Sequence, residues 1–229
     1  MQAVIFAAGR GTRMKEMTDN MPKSMLSIAS KPLLERKIEA LPGSIDEVVL
    51  IVGYLGSTIQ KHFGGEFAGK KIFYIEQEQL SGTADALWRA QPVLKDRFLA
   101  MNGDDLYATE DLETCMTYEW SMLVEKRDPL LSGGKVFVDE DNRITDVVEG
   151  THRGAGLINA GAYVLDTRVF QYPLVQKAPG SDEYGLPQTI LGAVRDLEVA
   201  FIAVPTTFWI QITAPEDLKK AEEMLMQRQ

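Results

Sequence analysis

The chain has 229 residues, a formal net charge of −9, 45% apolar residues and a single cysteine. Such a length suits one sizeable domain, and such an apolar share supplies a buried core. An acidic balance without a Lys/Arg-rich run argues against a nucleic-acid partner. No apolar stretch approaches the roughly 18 residues a membrane span needs. Cys115 forms no internal disulfide and belongs to no Cys/His cluster of a zinc site, and it is expected half-buried on a helix. The N-terminus reads as a strand rather than a leader segment, so a reducing, cytoplasmic setting is expected.

In chain order, a short apolar strand at residues 3–6 breaks into Ala7-Ala8-Gly9-Arg10-Gly11-Thr12-Arg13, and Pro22-Lys23 follows. Small residues let a ligand come close to the backbone, and N–H groups in such a turn cradle phosphate oxygens. Arg13 and Lys23 can neutralise phosphate charge. Two other phosphate loops are excluded. A Walker loop needs Gly-Lys-Ser/Thr after its second glycine, and a dinucleotide loop needs a third glycine where Met14 stands. The segment therefore reads as a nucleoside triphosphate site.

Next come a helix over 32–41, a strand at 48–52, a helix over 56–62 and a strand at 72–75. Gln77 and, five residues on, Gly82-Thr83 lead into a helix over 83–93. An amide side chain offers a donor and an acceptor to a base edge; Thr83 either helps there or caps the helix. A strand at 98–101 runs into Gly103-Asp104-Asp105. A carboxylate at a strand end beside a phosphate site suits Mg²⁺, which is commonly held by one or two carboxylates plus substrate phosphates. Asp104 is favoured for that part, and Asp105 stays open. Strand–helix alternation of this kind implies βαβ units and a mostly parallel sheet.

The second half changes character. Strand-like runs fall at 122–125, 135–138, 143–148 and 161–164, with an acidic, solvated turn at 139–142. A helix over 186–194, a strand at 199–204 and an amphipathic helix over 215–226 close the chain. No repeat or linker is evident. The expectation is one α/β/α sandwich of Rossmann-like type with a mixed, mostly parallel sheet. Its ligand-binding loops should lie beyond the strands' carboxyl ends.

Taken together, AAGRGTRM with Pro22-Lys23, EQEQLSGTADAL, NGDD, VVEG, LINAGAYV and WIQITAPEDL resemble the sugar-1-phosphate nucleotidylyltransferases nearly end to end. The resemblance implies an enzyme that joins a pyrimidine nucleotide, from UTP or dTTP, to a sugar 1-phosphate with release of pyrophosphate. It implies that residues 1–110 mainly hold the nucleotide and 111–229 mainly the sugar phosphate. Ala7, Ala8 and Gly9 would meet the base, Gly11, Thr12 and Arg13 the triphosphate, and Lys23 the phosphates at the reacting centre. Gln77 and Gly82 would read the base, with Thr83 beside them. Asp104 would hold Mg²⁺. Gly134, Glu149 and Asn159 would hold the sugar, and Lys126 its phosphate. No Ser or His nucleophile is needed, because the attacking phosphate is already an anion.

Two departures stand out. Where many members carry Trp-x-Asp with a second metal ligand, this chain has Trp209-Ile210-Gln211, so Gln211 ligates weakly, Asp105 compensates, or turnover is poor. Gly150 follows Glu149 where many members have lysine. A cytidylyltransferase for a small phospho-alcohol such as phosphocholine, and a weakly catalytic NDP-sugar sensor, are the alternatives. The hexapeptide repeats of a β-helix tail are absent from the sequence, so an added acetyltransferase activity is not expected. A homo-oligomer is left open, as is the identity of the sugar.

Overall fold

The computed structural model of the protein describes residues 1–228. Its framework is four parallel strands. Gln2–Ala7 lies between Glu47–Val52 and Arg97–Asn102, and Glu47–Val52 pairs onward with Lys70–Glu76. Val4, Ile5, Val49, Leu50, Ile51, Leu99 and Ala100 are wholly buried. Strands covered on both faces read as continuous apolar runs, and this is why the sequence pattern found them.

The register sets the function. Ala7 lies opposite Val52, Phe6 opposite Asn102, and Val52 opposite Glu76. Four carboxyl ends therefore finish at one rim, and the segments that follow them become neighbours.

A long strand, Gly156–Asp166, joins the second half to this framework. Its last five residues run antiparallel to Arg97–Met101, while Leu157 and Ile158 pair with Val136 and Lys135. Trp120–Arg127 runs along its other edge, with a register shift between Asn159 and Tyr163. Ser132–Val138 carries Ile144–Thr151 at one end of the sheet, and Phe201–Pro205 pairs in parallel with Trp120–Arg127.

Alternation along each strand sorts the side chains into two layers. Ala3, Ile5, Val48, Leu50 and Leu99 face the helices Leu33–Glu39, Gly56–Phe63 and Thr109–Met116, through Leu34, Ile38, Ile59, Phe63 and Leu112. Val4, Val49, Ile51, Phe98 and Ala100 face Thr83–Ala90 and Leu186–Leu197, through Leu87, Ile190 and Ala193. Each buried Val, Leu, Ile or Phe side chain among them contributes about 1.5–3 kcal/mol by leaving water. A third, smaller cluster packs Met14, Ile28, Leu106, Ile210 and Ile212 against Ala221 of the helix Pro215–Met226. It supports the N-terminal loop from beneath.

The expected elements appear, with differences in extent and some additions. The helix expected over 83–93 ends at Ala90, and Pro92 lies in a separate turn, Gln91–Val93, as a residue without an N–H should. The strand expected at 161–164 extends over Gly156–Asp166, because Asn159 and Gly161 interrupt its apolar pattern without ending its pairing. The helix Thr109–Met116, and a ladder pairing Asp105–Tyr107 with Trp209–Gln211, lie outside the sequence reading. Cys115 is fully rather than half buried, and burial pushes its thiol up to about 12, so it is unreactive.

Gly103 marks how tightly the rim is built. Its N–H donates to the Phe6 carbonyl at 3.0 Å, and a Cβ there would sit 2.4 Å from that oxygen. Gly103→Ala is expected to lower stability by about 1–3 kcal/mol, read as a lower urea midpoint. Gly43→Ala, where a Cβ meets nothing within 4 Å, should shift it far less. Equal midpoints for the two variants would contradict the close approach.

Candidate active site

The rim gathers segments that are far apart in sequence. Ala7 and Ala8 are buried, and the Ala8 carbonyl accepts from the Tyr54 N–H at 3.1 Å. Gly53 fits between strands because a Cβ there would lie 2.9 Å from both the Ala8 and Gln77 carbonyls. An open pocket of about 420 Å³ follows, lined by Arg10, Gly53, Tyr54, Glu76, Gln77, Glu78 and Leu80. The Arg10 guanidinium lies 5.1 Å from the centre of the Tyr54 ring, a cation–π contact. The Tyr54 hydroxyl donates to the Asp19 carbonyl at 2.7 Å and ties down the far side of the loop.

Gly9 has open space around it. Gly11 has φ 69°, and a Cβ there would sit 2.7 Å from the Lys23 Cβ. The loop thus folds directly onto Lys23. Its course is set by Met14, wholly buried, and by the Thr18 hydroxyl, which donates to the Gly11 carbonyl at 3.2 Å. Thr12 and Arg13 remain exposed at the rim.

Lys23 then meets Asp104. Its Nζ donates to Oδ2 at 2.5 Å, the side chains being 12% and 35% exposed. The two residues are 81 apart in sequence. The exposed edge of Asp104 opens to the rim, and the Asp104 carbonyl accepts from the Ile212 N–H at 3.0 Å, which brings Gln211 alongside. Gln211 is exposed and sits opposite Asp105 in the small ladder. Among the described residues no group of three or more His, Cys, Asp or Glu side chains is placed to hold a metal. One accessible carboxylate, Asp104, fits a Mg²⁺ ion whose remaining ligands are substrate oxygens and water.

Asp105 does not share that role. It is wholly buried, and its Oδ2 accepts from Asn102 Nδ2 and the Tyr107 hydroxyl, both at 3.2 Å. Its Oδ1 has no partner. The reading that Asp105 supplies a compensating metal ligand is therefore corrected: its side chain points into the fold. Facing the same enclosed space is Lys37, 2% exposed, with its Nζ 4.3 Å from the Tyr107 ring centre and unpartnered. Burial lowers the Lys37 ammonium to about 8, with Asp105 and Asp104 opposing the change. Burial first, and the charge of Asp104 second, push the Asp105 carboxyl up to about 7. Neither Lys37 nor Tyr107 stood out in the sequence, since a lone lysine among Glu35, Arg36 and Glu39 reads as a helix surface.

In the pocket wall, Gln77 is 4% exposed, with its Nε2 donating to Asp85 Oδ2 at 2.8 Å and to the Gly82 carbonyl at 3.2 Å. Gly82 has φ 97°, and a Cβ there would strike the Tyr184 carbonyl at 2.3 Å. Thr83 does not cap its helix. Gly82 holds the cap position, and the Thr83 hydroxyl accepts from the Leu186 N–H at 3.2 Å.

The residues expected to hold the sugar also converge. Gly134 lies opposite Glu149, and a Cβ there would sit 2.8 Å from Glu149 Oε1, so the glycine makes room for the carboxylate. Asn159 donates to the Tyr163 hydroxyl at 2.7 Å and accepts from the Gly161 N–H at 2.8 Å. Gly161, φ 77°, packs on Asn102: a Cβ there would lie 2.0 Å from Nδ2. This contact couples the Asn159–Tyr163 bend to the Asn102–Asp105 turn. Lys126 is exposed, with no ion pair among the described residues. His62 bonds Glu35 at 3.0 Å and His152 bonds the Gly133 carbonyl at 2.9 Å; neither has a triad partner.

A family model described as nucleotidyl transferase matches residues 2–228. The chain belongs to this nucleotidyl transferase family. Family membership bears out the resemblance read nearly end to end along the chain. The Bifunctional protein GlmU of Methanocaldococcus jannaschii is 31% identical over 231 residues, covering 100% of this chain and 55% of that protein. The chain thus spans about half the length of the first curated relatives it matches. The UTP–glucose-1-phosphate uridylyltransferase AglF of Haloferax volcanii is 27% identical, over 99% of this chain and 97% of its own. HddC from Yersinia pseudotuberculosis superposes with a TM-score of 0.77 at 26% identity, covering 98% of this chain and 99% of that one. A second HddC structure is a complex with GMP-PN.

The buried Asp105 carries a pH signature. Its folded value of about 7 lies above the ordinary 3.8. Between those limits the folded state holds a proton that the unfolded state has released, so this group lowers stability as pH rises. Asp105→Asn removes that dependence. The melting-temperature difference, variant minus parent, should grow from about pH 4 to about pH 7; a constant difference would contradict the buried-acid account.

Proposed function

We propose that the protein transfers a nucleotidyl group from a pyrimidine nucleoside triphosphate, UTP or dTTP, to a sugar 1-phosphate, releasing pyrophosphate. The observation that carries this is the Lys23–Asp104 pair held beneath the small-residue loop, with the pocket lined by Gln77 opening beside the same loop at Arg10. The parts would then follow in the order base, phosphates, reacting phosphorus, sugar.

In this reading the Ala8–Gly11 backbone lies against the nucleotide, and Arg13 and Lys23 balance the triphosphate charge. A phosphate oxygen of the sugar 1-phosphate attacks the α-phosphorus. One P–O bond forms to the sugar phosphate, and the bond to the departing pyrophosphate breaks. No proton need be removed from the nucleophile, so the protein's part is positioning and charge neutralisation. Asp104, with Gln211 beside it, would hold Mg²⁺, which neutralises phosphate charge when bound. Glu149, Gly134 and Asn159 would hold the sugar, with Lys126 at its phosphate. Residues 1–110 then serve chiefly the nucleotide and 111–229 chiefly the sugar phosphate.

The full-length match to a UTP-dependent relative supports the uridylyl reading. The GMP-PN complex of HddC favours a second one, guanylyl transfer, in which guanine occupies the same pocket.

Lys23→Ala and Asp104→Asn should each lower turnover about 100-fold or more, as the loss of one charge-stabilising group does, with unfolding transitions near the parent's. Either variant folding normally and keeping full turnover would overturn its assignment. Gln211→Asp adds a carboxylate beside Asp104 and should lower the Mg²⁺ concentration for half-maximal rate; an unchanged requirement would show that position 211 faces elsewhere.

A further inference from the structure

The amide of Gln77 is held in one orientation, and the residue that holds it is Asp85. Two atoms lie against the Nε2 end, Asp85 Oδ2 at 2.8 Å and the Gly82 carbonyl at 3.2 Å. Both are acceptors. Arg89 Nε donates to the same Asp85 oxygen at 2.9 Å, which leaves that oxygen no other role. The NH₂ end of the amide must therefore face them. Turning the amide over would set Oε1 against two acceptors and forfeit a charge-assisted bond. What Gln77 presents to a ligand in the pocket it lines is Oε1, an acceptor.

We propose that Asp85 is a specificity-determining positioning residue, which locks Gln77 so that the pocket accepts a base carrying a ring N–H and rejects cytosine. The inference rests on the reading of Gln77 as the base-reading residue. Uracil and thymine carry N3–H, which donates to Oε1; guanine carries N1–H and satisfies the same acceptor. Cytosine has an unprotonated N3, whose lone pair would oppose that of Oε1. An unrestrained glutamine escapes this by flipping and serves both kinds of base, but a glutamine clamped by a carboxylate does not. A site that hydrogen-bonds one base edge disfavours the mismatched edge strongly, because its polar group is left unpaired.

Asp85 is well placed for this without touching the nucleotide. It lies in the first turn of the helix Thr83–Ala90, and its side chain is 19% exposed. Its Oδ2 accepts from both Gln77 and Arg89.

The test is the ratio of kcat/KM for UTP to that for CTP, with the sugar 1-phosphate that gives the highest turnover. The parent should favour UTP. In Asp85→Asn, whose own amide can accept or donate, the ratio should fall about tenfold or more, chiefly through a lower KM for CTP. Asp85→Ala, which removes the carboxylate and leaves only the Gly82 carbonyl at 3.2 Å against the amide, should move it the same way and covers the case in which the asparagine variant fails to fold. A merely structural role would depress both nucleotides alike and leave the ratio standing. A folded Asp85 variant that keeps the parent's ratio overturns the clamp. A parent that uses neither UTP, dTTP nor GTP in preference to CTP overturns instead the reading of Gln77 on which the clamp rests.

Discussion

The parallel register of four strands is the constraint from which the rest of the site follows. Because Ala7, Val52, Glu76 and Asn102 end at one rim, the segments after them need no long excursions to meet. The loop after the first strand reaches Lys23, and the turn after the fourth delivers Asp104 to it across 81 residues. A slip of one residue in a central strand would exchange its two buried layers and set each side chain against the wrong helices. The burial that holds the register therefore also holds the Lys23–Asp104 pair in place.

The rim is tight, and its tightness accounts for residues that are otherwise odd. Gly103 lies against the Phe6 carbonyl, Gly11 against Lys23, and Gly161 against Asn102. The last of these ties the bend that carries Asn159 to the turn that carries Asp104. Behind that turn sit Lys37, Asp105 and Tyr107, cut off from water. Buried charges of this kind cost free energy and are weak evidence of stabilisation. Their effect here is electrostatic: the Lys37 ammonium lies in the field of Asp104 and Asp105 just beneath the rim.

Much of this was legible in the sequence, for local reasons. A phosphate loop needs small residues in a row, and the fully buried strands show as dense apolar runs. The carboxylate at the end of 98–101 and the amide at the end of 72–75 stand where an open sheet places its ligands. The rest depends on contacts the sequence does not announce. The ladder between Asp105–Tyr107 and Trp209–Gln211 consists of two three-residue strands with no period to detect. Thr109–Met116 buries only Asp111, Leu112 and Cys115, too few for a clear stripe. Lys37 looked like a surface charge because its neighbours are charged. Asp105 stayed open beside the favoured Asp104 because the two are adjacent in sequence, whereas the structure leaves Asp104 part-exposed and buries Asp105. Asp85 reaches Gln77 across a glycine loop, which makes it a tertiary contact despite the short separation.

The most direct measurement of the central claim is pyrophosphate release in the presence of Mg²⁺, with UTP, dTTP, CTP, ATP and GTP each paired with a panel of sugar 1-phosphates and phosphocholine. The account predicts release with UTP or dTTP and a sugar 1-phosphate, and none with phosphocholine. Release with GTP would keep nucleotidyl transfer and move the base assignment to guanine. Silence across the panel, from folded protein that still binds a UDP-sugar, would contradict the account and leave a nucleotide-sugar sensor, with Gln211 the residue to explain.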